Sequence, residues 1–260
     1  IYFNMLNFKQ ISSYHTKTLN VRNEPYGHCF VKEFFPDETA KLLSSKFKFP
    51  HEDLKSKDVL FQKTKRALGV YSKLPKEIKN VIDYLNSPYF IKVLEEKFNI
   101  KNLLPDPTLF GGGMHESKNG GYLKIHSDFV YIRKKKLKRR LNVLIYLNEG
   151  WDEKWNGALE LWDQDMNKKF LKVFPHLNHC VIFRTDTESN HGFPDPISCP
   201  NNIGRKSLAV YYYTEDNSLF KRTKLFYARW KKRPGVKEPK FGDNRSIFER
   251  IKNAYFFRFK

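Results

Sequence analysis

An imidazole and a carboxylate stand two residues apart in Tyr122-Leu123-Lys124-Ile125-His126-Ser127-Asp128. The stretch reads as a strand, because β-branched and aromatic residues alternate with polar ones behind Gly120-Gly121. Side chains two apart on a strand share a face, so His126 and Asp128 point the same way. A second imidazole, His191, follows the apolar run Val181-Ile182-Phe183. Two histidines and one carboxylate are the ligand set of the facial triad that suits Fe(II) and leaves metal positions open for substrate and oxygen. The structural alternative is a buried, hydrogen-bonded histidine beside an N-capping aspartate. Three such residues in this order, with Arg205 behind them, argue for the metal.

These groups need a scaffold, and the chain from Thr108 onward supplies short strands separated by turns, the all-β pattern of a barrel or double-sheet jelly roll. His191 has to come from a strand facing that of His126. Residues 141–147 form a buried strand on which Asn142, Leu144 and Tyr146 share a face, and its two polar groups need partners if that face looks inward. Residues 159–162 and 170–174 are further strands. Arg205 opens another, Lys206-Ser207-Leu208-Ala209-Val210-Tyr211-Tyr212-Tyr213. Gly111-Gly112-Gly113 predicts a bulge or a close backbone approach beside the site.

Before Thr108 the pattern is largely helical. His28 begins a first strand. Pro36-Asp37-Glu38 starts a helix with acids where its dipole favours them, and Leu42, Leu43 and Phe47 form its apolar side. Leu74-Pro75-Lys76-Glu77 opens a second, with Ile78, Ile82 and Leu85 on one face. Ser87-Pro88 caps a third, whose Phe90, Ile91, Leu94 and Phe98 pack inward. Residues 1–27 read as polar and irregular, and residues 50–73 as basic and mixed, without a placement. The expected fold is α+β: a double-stranded β-helix (jelly roll) core over residues 108–214, braced by an N-terminal strand and helices over 1–107. A basic, aromatic extension over 215–260 completes the chain, within a single domain overall.

At 260 residues, 40% hydrophobic and 16% aromatic, the chain can bury one sizeable core. No apolar run is long enough to span a bilayer, and no secretory leader is visible. Cys29, Cys180 and Cys199 are odd in number and make no metal-type spacing, which fits a reducing, cytoplasmic setting. The net charge of +20 is uneven. Residues 221–260 hold fourteen Lys/Arg against Glu238, Asp243 and Glu249, a net of +11. A second concentration runs from Arg133 to Arg140. Such charge attracts polyanions, but charge runs are usually solvated surface, which is the favoured reading. Phe226-Tyr227-Ala228-Arg229-Trp230 interleaves aromatic and basic residues, suited to stacking on bases or to docking on its own domain; docking is favoured. Residues 246–255 could form a terminal helix.

The ordered set His126-x-Asp128, His191, Arg205-x-Ser207 resembles the Fe(II)/2-oxoglutarate-dependent dioxygenases, in their prolyl-4-hydroxylase-like branch. Phe110-Gly111-Gly112-Gly113-Met114-His115, Leu141-Asn142-Val143-Leu144-Ile145-Tyr146-Leu147-Asn148, Trp151-Asp152 and Gly157-Ala158-Leu159-Glu160-Leu161-Trp162 are similar to the bacterial and phage type. The resemblance implies His126, Asp128 and His191 as Fe(II) ligands. It implies Arg205 as the anchor of the distal carboxylate of 2-oxoglutarate, with Tyr146 sharing that task, Ser207 adding a hydroxyl, and Asn142 and His115 lining the same pocket. A guanidinium fork matches a carboxylate bidentately. Trp162, His115 and residues 129–136 are placed at the substrate mouth. The fourteen positions from His191 to Arg205, with Pro194, Pro196 and Pro200 between, are longer than the family pattern and weaken the placement of Arg205.

The reaction implied by this resemblance is hydroxylation of an unactivated C–H bond with Fe(II) and 2-oxoglutarate, and ascorbate is a candidate reductant. The implied substrate is a prolyl residue in a peptide or protein, or free proline. Fold analogy does not fix the substrate. Another small molecule or a nucleic acid stays open, the latter through the basic tail, although Arg222 and Arg229 do not fit the spacing of nucleic-acid demethylating relatives. A non-catalytic jelly-roll binding module is the third reading, and such a module would normally have lost a ligand.

Overall fold

A computed structural model describes residues 8–49, 62–106, 108–132, 135–216 and 228–236. The polypeptide forms helices α1 (Phe8–Thr18), α2 (Asp37–Lys46), α3 (Lys76–Leu85) and α4 (Pro88–Phe98). Its main strands are β1 (His28–Val31), β2 (Gln62–Leu68), β4 (Gly113–Ser127), β6 (Leu137–Tyr146), β7 (Leu159–Trp162), β8 (Lys169–Val173), β9 (Cys180–Arg184), β10 (Asn190–Phe193) and β11 (Arg205–Glu215). The short strands β3 (Leu104–Pro105), β5 (Tyr131–Ile132) and β12 (Arg229–Trp230) complete the sheet.

All pairings between these strands are antiparallel, in the order β1-β9-β6-β11-β4-β10-β7-β8. The sheet folds back on itself within β4. Residues 113–117 of that strand pair with β11, and residues 123–126 pair with β10. The register slips in between, and Gly120 and Gly121 exchange backbone hydrogen bonds with Ile197. The outcome is the double-stranded β-helix expected from the sequence, with three strands, β1, β2 and β3, recruited from before Thr108.

Strand periodicity sorts the side chains into two layers. Leu141, Val143 and Ile145 of β6, Cys180 and Ile182 of β9, and Leu208, Val210 and Tyr212 of β11 join the helices in one apolar layer. There they meet Leu43, Ile78, Val81, Ile82, Phe90, Leu94 and Phe98. The alternate residues face into the fold, where Tyr146, Val181 and Phe183 pack against Leu159, Leu161 and Val173 of the opposite sheet.

The helix starts obey their sequence signals. Asp37 and Glu38 occupy the first turn of α2, and the Ser87 hydroxyl accepts from Phe90 N behind Pro88 at the start of α4. Two regions differ from expectation. Residues 8–18, read as irregular, form α1, because Ile11 and His15 fill the layer beside α4. His15 Nε2–H donates to Phe34 O at 2.9 Å, and its Nδ1 accepts from Tyr84 Oη at 2.6 Å. Residues 62–68, unplaced from sequence, form β2, because the edge of β4 offers backbone partners whatever the side chains. The helix read over 246–255 lies outside the described residues. No helix among the described residues is long and apolar enough to cross a membrane.

Candidate metal and cosubstrate site

His126 stands near the end of β4, and His191 on β10 is its register partner across the ladder. Gly192 makes that pairing close: a Cβ there would lie 2.7 Å from both Leu123 O and Lys124 O. Asp128 stands two residues after His126. His126 Nε2 lies 3.4 Å from Asp128 Oδ1, and His191 Nε2 lies 3.7 Å from Asp128 Oδ2. The three ligand atoms fall within 4.8 Å of one another.

The tautomers are fixed by what the other ring nitrogens do. His126 Nδ1 meets Lys124 O at 2.8 Å and His191 Nδ1 meets Ser189 O at 2.9 Å. A carbonyl only accepts, so each Nδ1 carries the proton and each Nε2 presents a lone pair. Burial and the neighbouring His126 lower the His191 pKa to about 4, with Asp128 opposing, so this ring is neutral near pH 7. Burial works to raise the Asp128 pKa. Arg139 and the two imidazoles outweigh it and hold the carboxyl well below the usual carboxylate range. Two lone pairs and a carboxylate therefore converge, an arrangement that a divalent cation stabilises, and the donor set suits Fe(II).

Arg139 was legible only as part of a basic run expected on the surface. It is instead 1% exposed, with Nη1 2.8 Å from Asp128 Oδ2. Its guanidinium lies over Tyr211 at 3.7 Å and over Phe129 at 4.2 Å. A β-bulge at Arg140 reverses the alternation of β6, so that Arg139 turns inward opposite Tyr213.

The cosubstrate candidates share the inner face beside this centre. Ser207 stands between Tyr146 of β6 and His115 of β4, and Tyr211 stands beside Asn142. Arg205 is buried. Its Nε–H donates to Gly157 O at 2.7 Å and its Nη2–H to Tyr146 Oη at 3.1 Å. Gly157 has φ +76°, and a Cβ there would come within 3.2 Å of Arg205 Cδ, so glycine makes room for the guanidinium. Burial lowers the Arg205 pKa, with Tyr146 opposing, but a guanidinium stays charged. No carboxylate among the described residues pairs with it. Burial raises the Tyr146 pKa, Arg205 opposing, so Tyr146 keeps its proton to donate. His115 Nε2 and Asn142 Oδ1 are buried without a hydrogen-bond partner. A buried guanidinium with no carboxylate partner among the described residues, flanked by the Tyr146 and Ser207 hydroxyls, is what a small dianion would satisfy, so these residues fit 2-oxoglutarate.

The long interval from His191 to Arg205 does not move Arg205. Its Ile197 packs with Trp151, Phe193 and Cys199, and the segment runs beside the bend of β4. Gly111-Gly112-Gly113 makes the close approach foreseen: a Cβ on Gly112 would lie 2.8 Å from Ala209 O. Trp162 is not at the mouth. It neighbours Asn190, whereas Leu161 pairs with His191, and its Nε1–H donates to Glu160 Oε2 at 2.9 Å on the outer face. Phe226 and Tyr227 lie outside the described residues. Trp230 pairs with His126, their ring centroids 4.8 Å apart, and Arg233 meets Asp195 at 2.7 Å, so this part of the extension docks on the core.

Residues 112–213 match the model of the "2OG-Fe(II) oxygenase superfamily". That segment holds His126, Asp128, His191 and Arg205, and it is similar to the domains of this superfamily, whose cofactors are ferrous iron and 2-oxoglutarate. In fold it is similar to prolyl-4-hydroxylases. The Phytophthora capsici enzyme structure is 16% identical, with a TM-score of 0.55, over 97% of this chain and 74% of that one. The Pseudomonas putida prolyl-4-hydroxylase is 15% identical, with a TM-score of 0.51, over 80% of this chain and 99% of that one. No curated protein matches the sequence.

Proposed function

We propose that the chain is an Fe(II)- and 2-oxoglutarate-dependent dioxygenase that hydroxylates an unactivated C–H bond of a prolyl unit, within a peptide or protein or as free proline. The carrying observation is the convergence of His126, Asp128 and His191 beside a buried Arg205 that has no counter-ion among the described residues. In this reading those three residues hold the iron. Arg205 binds the distal carboxylate of 2-oxoglutarate, Tyr146 and Ser207 add hydroxyl donors, and Asn142 and His115 line the same pocket. Held by these residues, iron and 2-oxoglutarate would supply oxidation by dioxygen, in which one oxygen atom goes to the substrate and the other to succinate as carbon dioxide is released.

The chain's own contribution is placement. Lys124 O and Ser189 O orient the imidazoles, and Arg139 keeps Asp128 ionised and fixed. Ascorbate belongs to the proposal as a reductant. So does a reducing compartment, on three cysteines that are free and buried.

The prolyl substrate is supported by the motif resemblance. Succinate release that requires both Fe(II) and 2-oxoglutarate separates an oxygenase from a binding module. Stimulation by proline or a prolyl peptide is expected. Stimulation by single-stranded DNA or RNA instead would replace the prolyl substrate with a nucleic acid, reached through the basic tail.

A further inference from the structure

Strand β2 brings one residue to the centre that the iron and 2-oxoglutarate roles leave unused. Leu68 pairs with Met114 in the apolar layer, and Arg66, opposite Glu116, meets that carboxylate at 3.3 Å. Alternation then puts Lys65 and Ala67 on the inner face. Lys65 lies opposite Ser117, which lies opposite Arg205, so three adjacent strands set Lys65, Ser117 and Arg205 in one row. Ala67, inward yet exposed, shows that solvent reaches this side of the strand. Lys65 is half-buried by its own surface but ringed by protein. It makes no hydrogen bond or ion pair among the described residues. Burial lowers its ammonium pKa to about 8, with Asp128 opposing and Arg205 and Arg139 assisting, so it is mainly charged at pH 7. Its charge also helps burial keep His115 neutral.

A cation enclosed without a partner is costly, and the cofactors do not supply one. Arg139 already answers Asp128. A ferrous ion and the 2-oxoglutarate dianion balance each other, and Arg205, tied to Gly157 O and Tyr146, is oriented for the distal carboxylate. Lys65 reaches in from the solvent-open edge and is left over. One surplus ammonium matches a monoanion better than a phosphate dianion.

We propose that Lys65 binds a carboxylate on the substrate that is oxidised, so that the enzyme selects carboxylate-bearing prolyl compounds. This rests on the oxygenase reading and adds the charge class of its substrate. The carboxylate belongs either to free proline or to an acidic residue next to a prolyl residue, and the test separates the two.

The full chain is loaded with Mn(II) and 2-oxoglutarate without oxygen, and four probes are titrated by calorimetry: L-proline, L-prolinamide, and the blocked dipeptides Pro-Asp and Pro-Asn. One carboxylate probe is expected to bind about tenfold or more tighter than its amide partner. Lys65→Met should remove that preference, and Lys65→Arg should keep most of it, while both leave 2-oxoglutarate affinity within about twofold. In parallel, Lys65 is pulse-acetylated and read by mass spectrometry. It should stay reactive with Mn(II) and 2-oxoglutarate bound and become protected when the carboxylate probe is added.

Protection by 2-oxoglutarate alone, or about a tenfold loss of 2-oxoglutarate affinity in Lys65→Met, would assign Lys65 to the cosubstrate and overturn the inference. So would a panel in which no carboxylate probe binds, or in which acid and amide bind alike. Failure of Mn(II) and 2-oxoglutarate to bind at all would instead remove the oxygenase reading beneath it.

Discussion

Strands β6 and β11 show two faces that obey different rules. On the helix side, Leu141, Val143, Ile145, Leu208, Val210 and Tyr212 are 0% exposed, and the one polar atom, Tyr212 Oη, donates to Leu85 O at 2.7 Å. On the other side of the same strands stand Asn142, Tyr146, Arg205, Ser207 and Tyr211, with His115 beside them. Here polar atoms are left over: His115 Nε2 and Asn142 Oδ1 have no partner. An orphaned buried polar group costs about 1–3 kcal/mol. The chain accepts that cost on the face where ligands bind, and the helical face provides the stability that offsets it.

Substitutions on the two faces should therefore separate cleanly. His126→Ala, on the inner face, should abolish Mn(II) binding and turnover while changing the urea stability of the metal-free chain by no more than about 1 kcal/mol. Wild-type metal affinity in this variant would remove His126 from the centre. Leu208→Ala, on the helical face, should cost about 3–4 kcal/mol in the same unfolding measurement and leave metal affinity per folded molecule unchanged. A large affinity change would mean that the two layers are mechanically coupled.

A titration tests the helical layer differently. Folded His15 is held by burial at a pKa of about 4, with its bond to Phe34 opposing, against 6.5 when unfolded. The unfolded chain therefore binds the extra proton, and stability falls as pH drops from about 6.5 towards 4, by on the order of 3 kcal/mol from this residue. His15→Gln should flatten the slope of unfolding free energy against pH within that window; an unchanged slope would show that other buried histidines carry it. Arg205→Ala should have the mildest effect on the inner face, raising the 2-oxoglutarate requirement about 10- to 100-fold with metal affinity intact. Unchanged cosubstrate affinity would take Arg205 out of the site.

The features that were legible in the sequence are those that obey an unbroken rule. Period two put His126 and Asp128 on one face, and Asn142 with Tyr146. Proline and serine marked the starts of α2 and α4. What escaped depended on context. Gln62-Lys63-Thr64-Lys65-Arg66-Ala67-Leu68 has no apolar alternation and becomes a strand because β4 offers an edge, so Lys65 had no face to be assigned to. Arg139 was hidden by the bulge at Arg140, which no periodicity argument foresees. Helix α1 carries Ser12, Ser13, Thr16 and Thr18, poor helix formers, and stands on the contacts of Ile11 and His15 rather than on propensity. Trp162 was misplaced by proximity in the motif, although the alternation with Leu161 already turned it outward.

The docking of β12 gives the molecule a built-in optical gauge. Of its four tryptophans, Trp230 lies against the His126 ring, whereas Trp151 and Trp155 pack on each other and Trp162 faces outward. Paramagnetic Mn(II) entering between the imidazoles should dim the indole emission, and Trp230→Phe should erase most of that response. Occupancy of the centre could then be followed in real time, without a dye and before any substrate is known.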